Sequence, residues 1–173
     1  TPCGTLFPYT TLFRSGRGGE AVDLDLGCLF ELQNGMKGAI QPLGNSFGSF
    51  DYPPYILHLG DDRTGAWAEG ENMKLNMAHL NRIKRVLFFT YIYEGVPNWT
   101  ATDAIITLKV PGQPVLEVPM GSQKDSRVFC AIARLDFQGQ EINVTKLISF
   151  HPDHRHCDET YGWGLKWVAG QKD

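Results

Sequence analysis

The chain has 173 residues, enough for one domain with a substantial core, and no stretch approaches the roughly 18 consecutive apolar residues a membrane helix needs. A formal net charge of -3 and a pI near 5.9 argue against a nucleic-acid surface, and the sequence shows no basic stripe of the kind by which one announces itself. Cys3, Cys28, Cys130 and Cys157 stand far apart with no Cys-x-x-Cys pair, which excludes a zinc ribbon or a thioredoxin-like motif and leaves reduced cytoplasmic thiols as the expectation.

Residues 1–15 read as a non-native leader. Pro8-Tyr9-Thr10-Thr11-Leu12-Phe13-Arg14-Ser15 resembles the in-frame translation of a sequencing adapter, so this segment is set aside from the fold. The start also lacks a basic region followed by a continuous apolar stretch, and no signal peptide is expected. Residues 16–173 are expected to form a single domain.

From Ala21 the pattern alternates: Val22, Leu24 and Leu26 point one way, Asp23 and Asp25 the other, which is a strand. Two aspartates on one face lie about 7 Å apart and repel unless a partner or cation covers them. A plain acidic face on an edge strand accounts for them equally well. The strand continues through Cys28 to Leu32, and Asn34-Gly35 turns it into a hairpin with 36–43. A Gly/Ser/Pro-rich loop over 44–54 precedes a short strand at 55–59.

The next stretch, Gly60 to Asn72, holds Gly60, Gly65 and Gly70 as turn residues with Asp61, Asp62, Glu69 and Glu71 between them. Carboxylates crowded into one loop suit a hard cation such as Ca²⁺, which takes roughly six to eight oxygens. Ordinary solvated turns use the same residues, and the EF-hand spacing is missed: counted from Asp61, Arg63, Gly65 and Ala66 fall where ligands and glycine belong. Any metal site must therefore draw ligands from elsewhere in the chain.

One or two helical turns are expected over 74–81. The run 83–93 is apolar or aromatic on both alternating faces, which marks a central strand covered on both sides. After a turn over 94–102, residues 104–110 are expected to pair back on it. Pro111-Gly112-Gln113-Pro114 turns the chain into 115–120, and Gln138-Gly139-Gln140 joins strands 128–137 and 141–150. The tail 151–173 reads as a polar loop, a short helix and a last strand, with Trp163 and Trp167 closing the core. The fold class is all-β: an antiparallel β-sandwich with one or two short helices.

Enzyme signatures are missing. There is no Gly-x-Ser-x-Gly, no phosphate-binding loop and no dinucleotide fingerprint, and Arg17-Gly18-Gly19 lacks the Lys-Ser/Thr ending of a P-loop. A zinc hydrolase built on His151, His154 and His156 would require those three imidazoles to converge.

The motifs agree in order with a known family. Val22-Asp23-Leu24-Asp25-Leu26, Gly60-Asp61-Asp62-Arg63-Thr64-Gly65 and Glu69-Gly70-Glu71 resemble the TerD family of tellurium resistance proteins. The stretch 93–99, Pro111 to Pro114, Val144-Thr145-Lys146-Leu147 and Gly162-Trp163-Gly164 are similar to its TerA-like branch, and the resemblance spans about residues 20–172. It implies a β-sandwich without established catalysis. It further implies Ca²⁺ binding in a bacterial cytoplasmic stress response to tellurite, alongside other tellurium-resistance proteins, with Asp23, Asp25, Asp61, Asp62, Glu69 and Glu71 meeting at one end.

This chain departs from the more acidic members, which continue the loop as Glu-Gly-Asp-Gly-Asp-Asp-Glu. Here Ala66, Trp67, Ala68, Glu69, Gly70, Glu71 and Asn72 stand instead, so weaker binding of one ion rather than two is expected. An exposed Trp67 would be a partner contact. The alternative is a sandwich that recognises a small anion, nucleotide or sugar through the bound calcium.

Overall fold

A computed structural model describes the backbone of residues 11–15 and, with side chains except at 22, residues 22–60, 70–95 and 97–170. Among the described residues, eleven strands make two antiparallel sheets. In chain order they are β1 (Thr11–Ser15), β2 (Val22–Leu32), β3 (Lys37–Ile40), β4 (Gly48–Ser49), β5 (Ile56–His58), β6 (Asn72–Leu75), β7 (Ile83–Gly95), β8 (Ile105–Lys109), β9 (Leu116–Pro119), β10 (Phe129–Gln138) and β11 (Glu141–His151). One sheet runs β4-β5-β6-β1-β8-β9, the other β11-β10-β7-β2-β3. An α-helix, α1 (His154–Tyr161), follows β11.

Alternation along the strands builds the core. Leu24, Leu26, Cys28, Phe30 and Leu32 of β2 and Val86, Phe88 and Ile92 of β7 face Met73, Leu75, Ile106, Leu108 and Val118 of the opposite sheet. β7 is apolar on both faces because both are covered: it lies between β10 and β2, and its outer residues Leu87, Phe89 and Tyr91 pack under Cys157 and Trp163. Gly27 makes this possible, since a Cβ there would stand 2.5 Å from the Phe89 ring.

Two expectations are corrected, on residues 105–109 and on 74–81. Residues 105–109 do not pair back on β7; β8 sits in the other sheet between β1 and β9. The crossing is anchored by Trp99, fully buried, whose Nε1 donates to Arg127 O at 2.7 Å. The stretch 74–81 is divided between the end of β6 and a 3-10 segment at Met77–Arg82 capped by Asn76. Thr11–Ser15, set aside from the fold in the sequence reading, pair with both β6 and β8.

The tail also differs from its reading. The histidine-rich loop is itself helical: Asp153 caps α1 by accepting from His156 N at 2.8 Å, and Gly162, at φ 70°, ends it in the left-handed region. Beyond it, residues 162–170 run without strand structure across the outer face. Trp163 is fully buried there, donating from Nε1 to Phe30 O at 3.0 Å, while the Arg85 guanidinium lies 3.7 Å from its ring centroid. Trp167 packs on the same cluster.

Candidate functional site

The candidate site lies where β2 meets the end of the acidic segment. β2 sends Leu24 and Leu26 into the core, so Asp23 and Asp25 take the other face. That face is not a solvated edge. Asp25 is 0% exposed, its Cα opposite Tyr91 and its backbone carbonyl accepting from Thr90 Oγ1 at 2.9 Å. Asp23 is half-buried and its Cα pairs with Glu94 across the strands. Like charges placed opposite one another are unfavourable unless something offsets them. Glu94 went unnoticed in the sequence, because only the β2–β7 register reveals it.

Glu71 reaches β2 from the opposite sheet. β3 covers β2 only as far as the Cys28–Ile40 pair, and beyond it the Leu26 N–H donates to Glu71 Oε2 at 2.9 Å. The carboxylate is 2% exposed, and its Oε2 also lies 3.3 Å from Nε2 of His58, the last residue of β5. His58 Nδ1 accepts from Gly60 N at 3.0 Å, which leaves the proton of a neutral ring on Nε2, facing Glu71. Sequence reasoning missed His58 as well. Its only sequence signal was its position two residues before the loop.

Of the predicted ligands, Asp61, Asp62 and Glu69 lie outside the described residues, as does Trp67. Among the described residues no group of three or more His, Cys, Asp or Glu side chains is arranged to hold a metal ion. The structure does bring Glu71 onto the backbone next to Asp25, joining the strand to the far end of the acidic segment. The three described candidates offer carboxylate oxygens alone, donors suited to a hard cation.

The three tail histidines do not converge on one point as a zinc hydrolase would require, because His154 stands apart from His151 and His156. His151 Nδ1 lies 2.8 Å from His156 Nδ1, and His151 Nε2 2.9 Å from Ser149 Oγ, which also meets Tyr161 OH. His154 turns away: its Nε2 donates to Gln41 Oε1 at 2.6 Å and its ring packs on Phe89, Tyr91, Phe129 and Trp167. Burial pushes the His154 pKa down to about 4. The same cause raises Cys130 and Cys157 to about 12, and with Cys28 these are free, buried thiols kept protonated. An open groove of about 430 Å³ between Leu80, Gln113 and Ile142 contains none of the candidate residues.

No family model matches the chain. It is 40% identical over 153 residues, 88% of its length, to the tellurium resistance protein TerA of Alcaligenes sp., and spans 45% of that protein. Among solved structures it is similar to a protein of unknown function, SAV2460, with a TM-score of 0.64 at 16% identity over 84% of this chain and 92% of that one. A homologue of the telluride resistance protein TerD, SCO6318 from Streptomyces coelicolor A3(2), gives 0.63 at 13% identity over 84% and 92% of the two chains. At such identities the solved structures speak for the fold.

Proposed function

From a chain that belongs to the TerD/TerA-like family of tellurium resistance proteins, we propose a non-enzymatic calcium-binding domain of the cytoplasmic stress response to tellurium compounds. The observation that carries the reading is the 2.9 Å contact of Glu71 Oε2 with Leu26 N–H. It ties the acidic segment to the aspartate-bearing strand, two carboxylate groups about 35 positions apart in sequence. Asp23, Asp25 and Glu71 would supply oxygens from the sandwich, and Asp61, Asp62 and Glu69 the remainder that the coordination number of calcium demands. A loop thinned by Ala66, Trp67 and Ala68 supports one ion rather than two. The chain spans 45% of its TerA relative, and the domain is proposed to work alongside other tellurium-resistance proteins. No helix among the described residues is long and apolar enough to cross a membrane.

Calcium titration of the full chain by calorimetry tests this, since Thr11–Ser15 stand inside a sheet and are best kept. Saturable binding at micromolar concentration or tighter is expected, lost in an Asp61→Ala, Asp62→Ala double variant. A hundredfold excess over the dissociation constant would stabilise the fold by about 2.7 kcal/mol. No heat and no thermal shift at millimolar calcium would sink the reading.

A further inference from the structure

His58 contacts Gly60 and Glu71, one on either side of positions 61–69. On one side its Nδ1 accepts the Gly60 N–H at 3.0 Å; on the other its Nε2 faces Glu71 Oε2 at 3.3 Å. The ring is 2% exposed at the end of β5, with Phe47 edge-on at 5.7 Å between centroids, so its plane is fixed by packing. Glu71 Oε2 then accepts from Leu26 on β2. One imidazole thus links the last strand before the acidic segment, the residue that begins the segment, the carboxylate near its end and, through that carboxylate, the aspartate-bearing strand.

We propose that His58 is a positioning residue. Resting on the calcium reading above, its role is to hold the Glu71 carboxylate against β2 in the orientation from which it serves the ion. The requirement is geometric. Glu71 is held by the Leu26 N–H from one sheet and by the His58 ring 3.3 Å away on the other, and an ion site tolerates little freedom in its ligands. The buried Nε2 edge of the ring, in polar contact with Oε2 at 3.3 Å but without hydrogen-bond geometry, restrains how the carboxylate turns about its last torsion, which is otherwise broad. The neutral ring suffices, because the Gly60 N–H already occupies Nδ1.

Two replacements separate the ring's halves. His58→Gln keeps a donor where Nε2 was; His58→Asn keeps an acceptor where Nδ1 was and leaves Glu71 without the ring's N–H. Amide spectra of the metal-free full chain and calcium titrations are recorded for the wild type and both variants. We expect the Leu26 amide proton to shift strongly in His58→Asn and little in His58→Gln. Calcium affinity should fall about tenfold in the Asn variant, in which Glu71 loses its polar neighbour, and recover in the Gln variant. Equal losses in both variants, or an unmoved Leu26 amide in His58→Asn, would overturn the proposal. If the wild type binds no calcium, the functional reading fails by itself, and the metal-free amide shifts still decide whether His58 positions Glu71.

Discussion

Asp158 and Glu71 are both 2% exposed, yet the donors that satisfy them come from different places in the chain. Asp158, on α1, receives Gly164 N at 2.6 Å, Leu165 N at 2.8 Å and Trp167 Nε1 at 2.8 Å, all within nine residues of itself. Glu71 receives Leu26 N from 45 positions away and faces a histidine. The first carboxylate is enclosed by neutral N–H groups of one short segment and serves to fold the tail across the outer face of β7. The second joins two sheets at the edge of a segment crowded with further carboxylates. Acidic residues that look alike in a sequence are separated by who donates to them, and that is a property of topology.

The largest effect expected from this contrast belongs to Asp158→Ala. It takes the shared acceptor from three N–H donors in a half-buried region, at a cost of about 3 kcal/mol. Urea unfolding measures it, together with exposure of Trp163 and Trp167 by fluorescence. Calcium binding should be unchanged in whatever fraction remains folded. A loss of calcium affinity in the folded variant would erase the distinction between the two carboxylates.

The strands were legible where periodicity had one meaning. β7 declared itself by apolar residues on both faces, β2 by its alternation, and β10–β11 by the Gln138-Gly139-Gln140 turn. What failed were the pairings. Neighbours in sequence are the default partners, so nothing before the structure placed β8 in the opposite sheet. Asp153 and Gly162 are cap signals that would have delimited α1, but the intervening His and Arg residues gave no apolar stripe to support a helix. At the candidate site, Asp23, Asp25 and Glu71 could be named from their types, whereas Glu94 and His58 enter only through register and burial. That Asp25 is fully buried was equally hidden, since the tail and helix covering that sheet face are distant in sequence.

Acid should discriminate between the two regions next. His154 packs on Trp167, whose Nε1 is held by Asp158, and burial lowers its pKa to about 4 against an opposing pull from Asp153. His151 is lowered as well, by burial first and then by His156 and Arg127. Unfolded histidines bind protons near pH 6.5, so between that value and about 4 the unfolded chain holds more protons than the folded one, and stability falls as pH falls. Discounted for partial exposure, His154 accounts for a loss of about 2 kcal/mol across that window. Urea midpoints between pH 7 and pH 4.5 read it, and His154→Gln should flatten the slope. An unchanged slope would mean that the tail does not feel this ring.

The smallest change sharpens the contrast most. Glu71→Gln preserves a carbonyl oxygen for the Leu26 N–H and removes only the charge, so the sheet junction should survive with a loss of about 1 kcal/mol, the difference between a charge-assisted and a neutral hydrogen bond. Calcium needs that charge, and its stabilising effect should disappear in the same variant. Thermal melts with and without calcium give both numbers from one sample. If Glu71→Gln instead costs as much as Asp158→Ala, Glu71 is a second structural carboxylate. The strand and the acidic segment would then be joined for the sake of the fold, and a calcium site at their junction would have lost its principal support.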